Sequence, residues 1–539
     1  MHASSKASPA VRLLAGLQSC YHRSPLVGYL LALTLGVIAA WLVIGSPLYI
    51  LRGGLMNDSD YPNAAAAFLL FVQDGWHWPL GANPDFGGVN VFFSDAAPWF
   101  ALSGKALHSL TGITVSFHFL VLLNFLLLGV TAWRLARRVC DDEASRWVLA
   151  GLLVFNLIMP VRLIGAQHIA LGSYWVLLWA MCAVPARGES RGGWRQWECL
   201  AATGFAIWSH AYLGAMAITI MLVSLLAARR WFAALWVLLL PIILLYVIGA
   251  LGGEHASASG AKVYALDLGA FTKSLGWAMT GNLYDIHEVT QGDAILYLGS
   301  GVWLLLIGSV VISLARKELP RAAILGQGVR RHRLLTVLLA SLGLMLYAMA
   351  FDLRIAGHVW ASMDIPAIFL PLYESFRATG RFAAPMAYCL VIIATLWWAA
   401  WRQRVRGWWM LGVVAVLLQA SDAWYAGDKS RPSGWRADAD SQHQAVAALL
   451  DGRDWSGRVF RDVDFHELEQ QRLLDYLLVE HGADRFEVAH GARLSWEDVK
   501  RRSGYKQAVS GDVVILSGDA DGPECRDSAS LKQFEICLL

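Results

Sequence analysis

From residue 26 to residue 424 the chain alternates long apolar runs with short polar connections. Each run approaches the ~20 residues that a helix needs to cross the hydrocarbon layer of a bilayer. The first run, residues 26–50, is uncharged and 25 residues long. A cleavable leader has a shorter apolar region ending in small residues, so this run reads as a retained span. Further spans are expected at residues 113–133, 147–161 and 169–185, in two short legs on either side of W-S-H-A-Y (residues 208–212), and at 231–250, 294–314, 334–351, 382–400 and 408–424. The pattern predicts an α-helical polytopic membrane protein with about 11 transmembrane helices.

The connections give the orientation. The leading segment and every second connection hold 21 Lys and Arg, and the intervening ones hold 8. Short cytoplasmic loops carry that excess, so the first residues are expected inside and residues 51–112 outside. That first outer loop, long and interrupted by Gly, Pro and Asn, is expected to carry two amphipathic interfacial helices. Residues 426–539 contain 15 of the 44 basic and 21 of the 41 acidic residues, a net of −6, which leaves the preceding part at +9. The predicted organisation is a cytoplasmic segment at 1–25, a membrane body at 26–425, and a small soluble α/β domain outside at 426–539. In that domain, residues 441–450 and 465–479 have helical periodicity, and residues 512–516 and 534–538 are rich in strand-forming side chains.

At 57% hydrophobic residues with 25 Trp, the composition excludes a soluble enzyme. Basic residues are not interleaved with aromatics as nucleic-acid binding requires, so no nucleic-acid partner is expected. The seven Cys form no CxxC pair and no zinc spacing. Cys525 and Cys537 either pair in an oxidising compartment or are two unrelated small residues. There is no G-x-S-x-G, no H-E-x-x-H, no phosphate loop and no dinucleotide fingerprint.

Ionisable residues gather in the outer connections, not inside the spans where a transporter would place them. Such a distribution suits chemistry on a substrate with a lipid tail and a polar head. Asp58 and Asp60, in N-D-S-D just beyond the first span, are candidates for a base. Turn-making is the structural alternative. Asp95 or Ser94 is expected to cap the helix that follows, with Pro98 in its first turn, and Asp95 would then have a supporting role. Asp74 and Asp85 rank as solvated loop residues. Arg377 and Arg381, four apart, would share one helix face and could grip a phosphate, or else snorkel to lipid headgroups. Arg162 and His168 would lie at the outer end of the third and fourth spans. Residues 253–293 match no metal or nucleophile spacing and read as a solvated loop.

Several motifs together resemble a family: W-H-W-P-L-G-A-N-P-D-F-G-G, F-S-D-A-A-P-W-F-A-L-S-G-K, Q-H-I-A-L-G-S-Y-W, Y-L-G-S-G and F-R-A-T-G-R-F, set in a chain with an acidic first outer loop. The chain is similar to the GT-C superfamily of polyprenyl-phosphate-sugar-dependent membrane glycosyltransferases, in particular to an uncharacterised bacterial multi-span branch. The resemblance covers residues 50–390. It implies an inverting glycosyltransferase of the bacterial inner membrane that uses a polyprenyl-phosphate or diphosphate sugar on the periplasmic face, with an envelope glycan, lipid or protein as acceptor. It implies a base at Asp58 or Asp60, and a donor phosphate held by Arg377 and Arg381 with Arg162 and His168 beside it. No organic cofactor is expected, and a divalent cation is compatible. The competing classes are a carrier or transporter of lipid-linked saccharide, and a non-catalytic envelope assembly protein.

Overall fold

A computed structural model describes residues 25–51, 60–165, 167–187, 193–251, 261–279, 295–320, 324, 326, 328–430, 459–462, 468–480, 482–483, 485–486, 513–517, 527–531 and 534–538. The membrane body is built from α1 (Pro25–Ile44), α2 (Asp60–Gln73), α3 (Pro98–Thr111), α4 (Phe119–Val139), α5 (Glu143–Val154), α6 (Ile158–Ile164), α7 (Trp175–Ala183), α8 (Gly193–Ser209), α9 (Ala211–Ala227), α10 (Trp231–Ile248), α11 (Ser300–Arg316), α12 (Gly328–Ala348), α13 (Ala384–Arg402) and α14 (Trp409–Ser430).

Each of the eleven predicted spans contains helix, but several of the helices are shorter than a bilayer crossing needs. Among the described residues, six helices are long and apolar enough to cross a membrane: Leu26–Ile44, Phe119–Val139, Glu143–Ile164, Trp231–Ile248, Thr379–Arg402 and Trp409–Asp428. Ala211–Ala227 and Ser300–Arg316 are apolar but shorter. At about 1.5 Å per residue they fall short of the hydrocarbon thickness by themselves. The expected span at 169–185 is helical only from Trp175, because the buried stretch before it is irregular.

Small residues let the helices pack backbone to backbone. A Cβ added at Gly129 of α4 would lie 2.2 Å from the Ala32 carbonyl of α1, and one at Gly36 would lie 2.5 Å from the Phe125 carbonyl. Without a hydrophobic drive between helices in lipid, such close approach is what holds them together. Where polar groups are buried in the bundle they satisfy backbone ends. Asp422 of α14 accepts from the Ser300 amide at 2.7 Å, capping α11, and Gln419 donates to the Leu298 carbonyl at 3.0 Å.

Between α12 and α13 lies a hairpin of β1 (Asp352–Ile355) and β2 (His358–Ser362). Its two-residue turn, Ala356–Gly357, has both φ values positive, the geometry that matches strand twist. Asp267 holds that turn by accepting from the Ala356 amide at 2.9 Å and the Gly357 amide at 2.6 Å. Lys262 donates to the Met363 carbonyl at 2.7 Å at the other end. In the segment read as a solvated loop, Glu254, His255, Asp285, His287, Glu288 and Asp293 lie outside the described residues.

After the membrane body, a mixed sheet has the order β4-β3-β5-β7-β6, with β3 (Val459–Asp462), β4 (Arg485–Phe486), β5 (Val513–Ser517), β6 (Asp527–Leu531) and β7 (Phe534–Leu538). β3 is parallel to β4 and β5, while β7 is antiparallel to β5 and β6. One helix, α15 (Leu468–Glu480), makes the crossover from β3 to β4. The predicted helix at 441–450 and Cys525 lie outside the described residues.

This sheet is joined to the long segment between α2 and α3. Gly87 donates to the Phe486 carbonyl at 2.8 Å and the Phe486 amide donates to the Asp85 carbonyl at 2.7 Å, so the loop adds a bridge beside β4. α15 packs along α2. The first of the loop's two helices, α2, therefore does not lie on a membrane surface as expected. α2 is buried on nearly every side, from Tyr61 through Phe68 and from Leu70 to Val72, because its Ala64–Ala67 run lets neighbours close in all round.

Candidate functional site

The site is assembled where the irregular segments before α7 and α13 meet the start of α2. Asp60 opens α2, and its side chain is 44% exposed. Its Oδ2 lies 3.0 Å from His168 Nε2, and its Oδ1 accepts from Arg472 Nη1 of α15 at 2.5 Å. On the far side of His168, Arg381 Nη2 faces Nδ1 at 3.5 Å. Since a guanidinium can only donate, Nδ1 is the acceptor and the imidazole is neutral, with its proton on Nε2 directed at Asp60. The contacts form one line, Arg472–Asp60–His168–Arg381.

Each member is set by local structure. His168 lies in the irregular buried segment before α7, which Asn124 of α4 holds in shape. Asn124 donates to the Ile169 carbonyl at 3.2 Å and accepts from Ser173 at 2.9 Å and from the Trp175 indole at 3.1 Å. Gln167 just before it has φ 51°. Arg381 sits in a 3₁₀ turn, Thr379–Ala383, at the start of the α13 span, and its guanidinium lies 5.0 Å over the Tyr212 ring. Tyr212 in turn accepts from the Ala378 amide at 2.8 Å, fixing that turn. Cation–π contact and hydrogen bond together hold Arg381 toward His168.

Asp95 lies behind Asp60 and is not a helix cap. The residue at the N-cap of α3 is Ala97, without a side-chain cap bond, and Pro98 takes the first helical position as expected. Asp95 instead has φ 58°, a left-handed conformation that Asp tolerates better than most residues, which turns its carboxylate inward. His210 Nε2 is 3.5 Å from Asp95 Oδ1. His210 heads α9, where its Nδ1 accepts from the Tyr212 amide at 3.2 Å.

The two carboxylates have opposite electrostatics. Burial pushes the Asp95 carboxyl up, and the charge of Asp60 pushes it further, to about 8, against the opposing pull of Arg381 and of the Ala170 amide. Burial also acts to raise Asp60, but the bond from His168 and the charge of Arg472 outweigh it and hold Asp60 below the ordinary carboxylate range. Burial pushes the His168 imidazole down, and the nearby Arg381 and Arg162 add to this against the pull of Asp60. At neutral pH the site holds one ionised carboxylate, one neutral carboxyl and a neutral imidazole. Arg162 is 2% exposed, at the end of α6, and its charge reaches His168.

Among the candidates read from the sequence, Asp60, Asp95, Arg162, His168 and Arg381 thus come together, and Asp58 lies outside the described residues. Arg377 does not share a helix face with Arg381. It precedes the 3₁₀ turn, is exposed, and stacks at 5.2 Å over Tyr264. Asp74 pairs with His77 at 2.8 Å, and Lys105 is buried over the Phe71 ring at 4.1 Å. His210, Tyr212 and Arg472 were not singled out by sequence. The break between two short apolar legs at W-S-H-A-Y was the available sign for the first two, and nothing in the sequence marked Arg472.

A divalent cation would find the Asp60 carboxylate and the His168 imidazole as donors, but Arg472 and Arg381 stand at the two ends of that pair. Among the described residues no group of three His, Cys, Asp or Glu could hold a metal. Two guanidiniums, with Arg162 behind them, fit an anion better than a cation.

No protein of curated function matches the chain. Among solved structures, it is similar to the crystal structure of the Archaeoglobus fulgidus oligosaccharyltransferase in the apo form, with 12% identity and a TM-score of 0.41 over 91% of this chain and 69% of that one. The family described as a domain of unknown function, DUF6311, matches residues 32–424, well over half of the sequence, and the chain belongs to that family.

Proposed function

We propose that this membrane protein is an inverting glycosyltransferase that moves a sugar from a polyprenyl-phosphate or diphosphate donor to an acceptor hydroxyl on the periplasmic face of a bacterial inner membrane. The observation that carries the reading is Asp60, an ionised and half-exposed carboxylate beside a neutral histidine and flanked by guanidiniums. The motif resemblance to polyprenyl-phosphate-sugar-dependent enzymes supports the same reading.

In this mechanism the acceptor oxygen attacks the anomeric carbon as its proton passes to Asp60. The bond from that carbon to the donor phosphate oxygen breaks, and its electron pair leaves with the phosphate. The leaving group needs its charge stabilised and not a proton, which falls to Arg381 with Arg162 behind it. His168 holds Asp60 Oδ2 and fixes the direction of the carboxylate. One base suffices for a single inverting displacement, and such proton transfer contributes typically ~10²- to 10⁴-fold in rate. Asp95, kept neutral by burial, adds no second negative charge where the phosphate binds. A cell-envelope glycan, lipid or protein is the expected acceptor class.

The test is mass spectrometry of envelope glycans and lipid-linked sugars from cells that carry the wild-type protein, no protein, Asp58→Asn or Asp60→Asn. A one-sugar increment that needs the protein and disappears in Asp60→Asn is expected. Unchanged glycans in the cells without the protein would remove the enzyme reading.

A further inference from the structure

α15 lies far along the chain from the membrane body, yet it reaches the proposed base. Arg472, Tyr476 and Glu480 follow at intervals of four and so share one face of that helix. Tyr476 anchors this face: Tyr61 of α2 is 2.6 Å from His118 Nδ1, His118 Nε2 is 3.1 Å from the Tyr476 hydroxyl, and Tyr476 donates to Glu480. One turn away, the side chain of Arg472 is 16% exposed, with Nη1 on Asp60 Oδ1 and a buried Nε that has no acceptor. A buried guanidinium N–H without an acceptor is costly, and an oxygen brought by a ligand would satisfy it. His168 bonds one oxygen of Asp60 and Arg472 the other, and both contacts stabilise the anion and so weaken it as a base.

We infer that Arg472 is a ligand of the donor's phosphate, and that the arriving phosphate draws its guanidinium off Asp60 and so frees the base. The inference rests on the glycosyltransferase reading above. A phosphate against the line of Arg472, Asp60, His168 and Arg381 meets a guanidinium at each end, and its oxygens supply the acceptors that Arg472 Nε lacks. Asp60 and the phosphate then compete for one guanidinium. Only a chain with donor bound has Asp60 Oδ1 released from Arg472, so the carboxylate becomes the stronger base when there is a sugar to transfer. The C-terminal sheet and its helix are on this view a working part of the site, held against the first outer loop by the bridge between Phe86 and Phe486.

The experiment measures lipid binding to the full-length protein in phosphatidylcholine nanodiscs doped with a polyprenyl phosphate, the corresponding polyprenol, or phosphatidylglycerol. The wild type is expected to prefer the polyprenyl phosphate. Arg472→Ala should weaken that binding by roughly 10- to 100-fold, the scale of a lost charge-assisted hydrogen bond, and leave polyprenol binding unchanged. Arg472→Lys should recover part of it. Asp60→Asn, which removes the competitor, should bind polyprenyl phosphate more tightly than the wild type, and by a larger factor than the same change made in the Arg472→Ala background, since loss of like-charge repulsion alone would act equally in both. If the wild type prefers the phosphate but Arg472→Ala binds it as well as the wild type, or Asp60→Asn binds it no better, the role of Arg472 is overturned and the donor class stands. If the wild type treats polyprenyl phosphate and polyprenol alike, the donor reading fails with it. Equal, Arg472-dependent binding of phosphatidylglycerol would make this a general headgroup site and overturn the assignment to a donor.

Discussion

The two polar ends of the helix bundle use the same residue types to different effect. At the end rich in basic residues, Asp142 caps α5 by accepting from the Ser145 amide at 2.9 Å and its hydroxyl at 2.7 Å, with Arg402 at 2.7 Å. Around it Arg134 pairs with Glu198 at 2.6 Å and Arg330 with Asp141 at 2.5 Å. Burial pushes Asp142 up, but the Ser145 bonds and Arg402 hold it below the usual range. At the opposite end Asp60 is held down in the same manner, but its partners come from 108 and 412 residues away, and a second carboxyl behind it is pushed to about 8. Asp142 takes two of its three contacts from the start of its own helix and one from Arg402 of α13, and such a cap is a structural device. A carboxylate held between distant elements, next to a carboxyl shifted the other way, has the pattern of a site.

That contrast can be broken most directly by parallel substitutions. Asp60→Asn is expected to lower sugar transfer by ~10²- to 10⁴-fold, whereas Asp142→Asn should leave transfer intact. Comparable losses in both, by quantitative mass spectrometry of the envelope product, would erase the distinction. Next in size, Arg381→Ala should cost roughly 10- to 100-fold in transfer through the lost charge-assisted contacts. Arg377→Ala, at an exposed stacked arginine, should cost at most about fivefold.

Asp95 gives a pH test. Its carboxyl titrates higher in the folded chain than in the unfolded one, so the neutral form stabilises the fold at low pH. That contribution is lost as pH rises from the ordinary carboxylate range through about 8. Asp95→Asn, neutral throughout, should therefore gain thermal stability relative to the wild type as pH goes from 5 to 8, by roughly a fraction of the full titration effect. A constant difference across that range in thermal unfolding would mean that Asp95 is ionised in the fold. The smallest effect is expected at the other end, where Asp142→Ala should lower stability by about 1 kcal/mol through loss of an N-cap, with transfer unaffected.

Much of the site was legible one residue at a time. Asp60, Arg162, His168 and Arg381 stand out in sequence because charged and imidazole side chains are rare beside apolar runs and cluster in alternate connections. Their assembly was less legible. The four-residue spacing of Arg377 and Arg381 suggested one helix face, but the chain there runs into a 3₁₀ turn pinned by Tyr212, and the two arginines diverge. Ser94, Asp95 and Pro98 had the composition of a helix start, yet the positive φ of Asp95 and Ala97 moved the cap and buried the carboxylate. Local propensity treats a capping Asp and a buried Asp alike, since the difference lies in what packs over it.

By itself the sequence determined that the chain is a helical membrane protein, that Lys and Arg concentrate in alternate connections, and which few polar residues stand at the ends of the apolar runs. These follow from the cost of burying charge in hydrocarbon and from helix length, both properties of contiguous sequence. The tertiary structure alone decided that α2 is buried instead of lying on the membrane, that His168 and Arg381 converge on Asp60, and that Arg472 closes the line from the far end of the chain. Those contacts depend on which segments the packed bundle and the C-terminal sheet bring together, and no periodicity within a segment encodes a partner several hundred residues away.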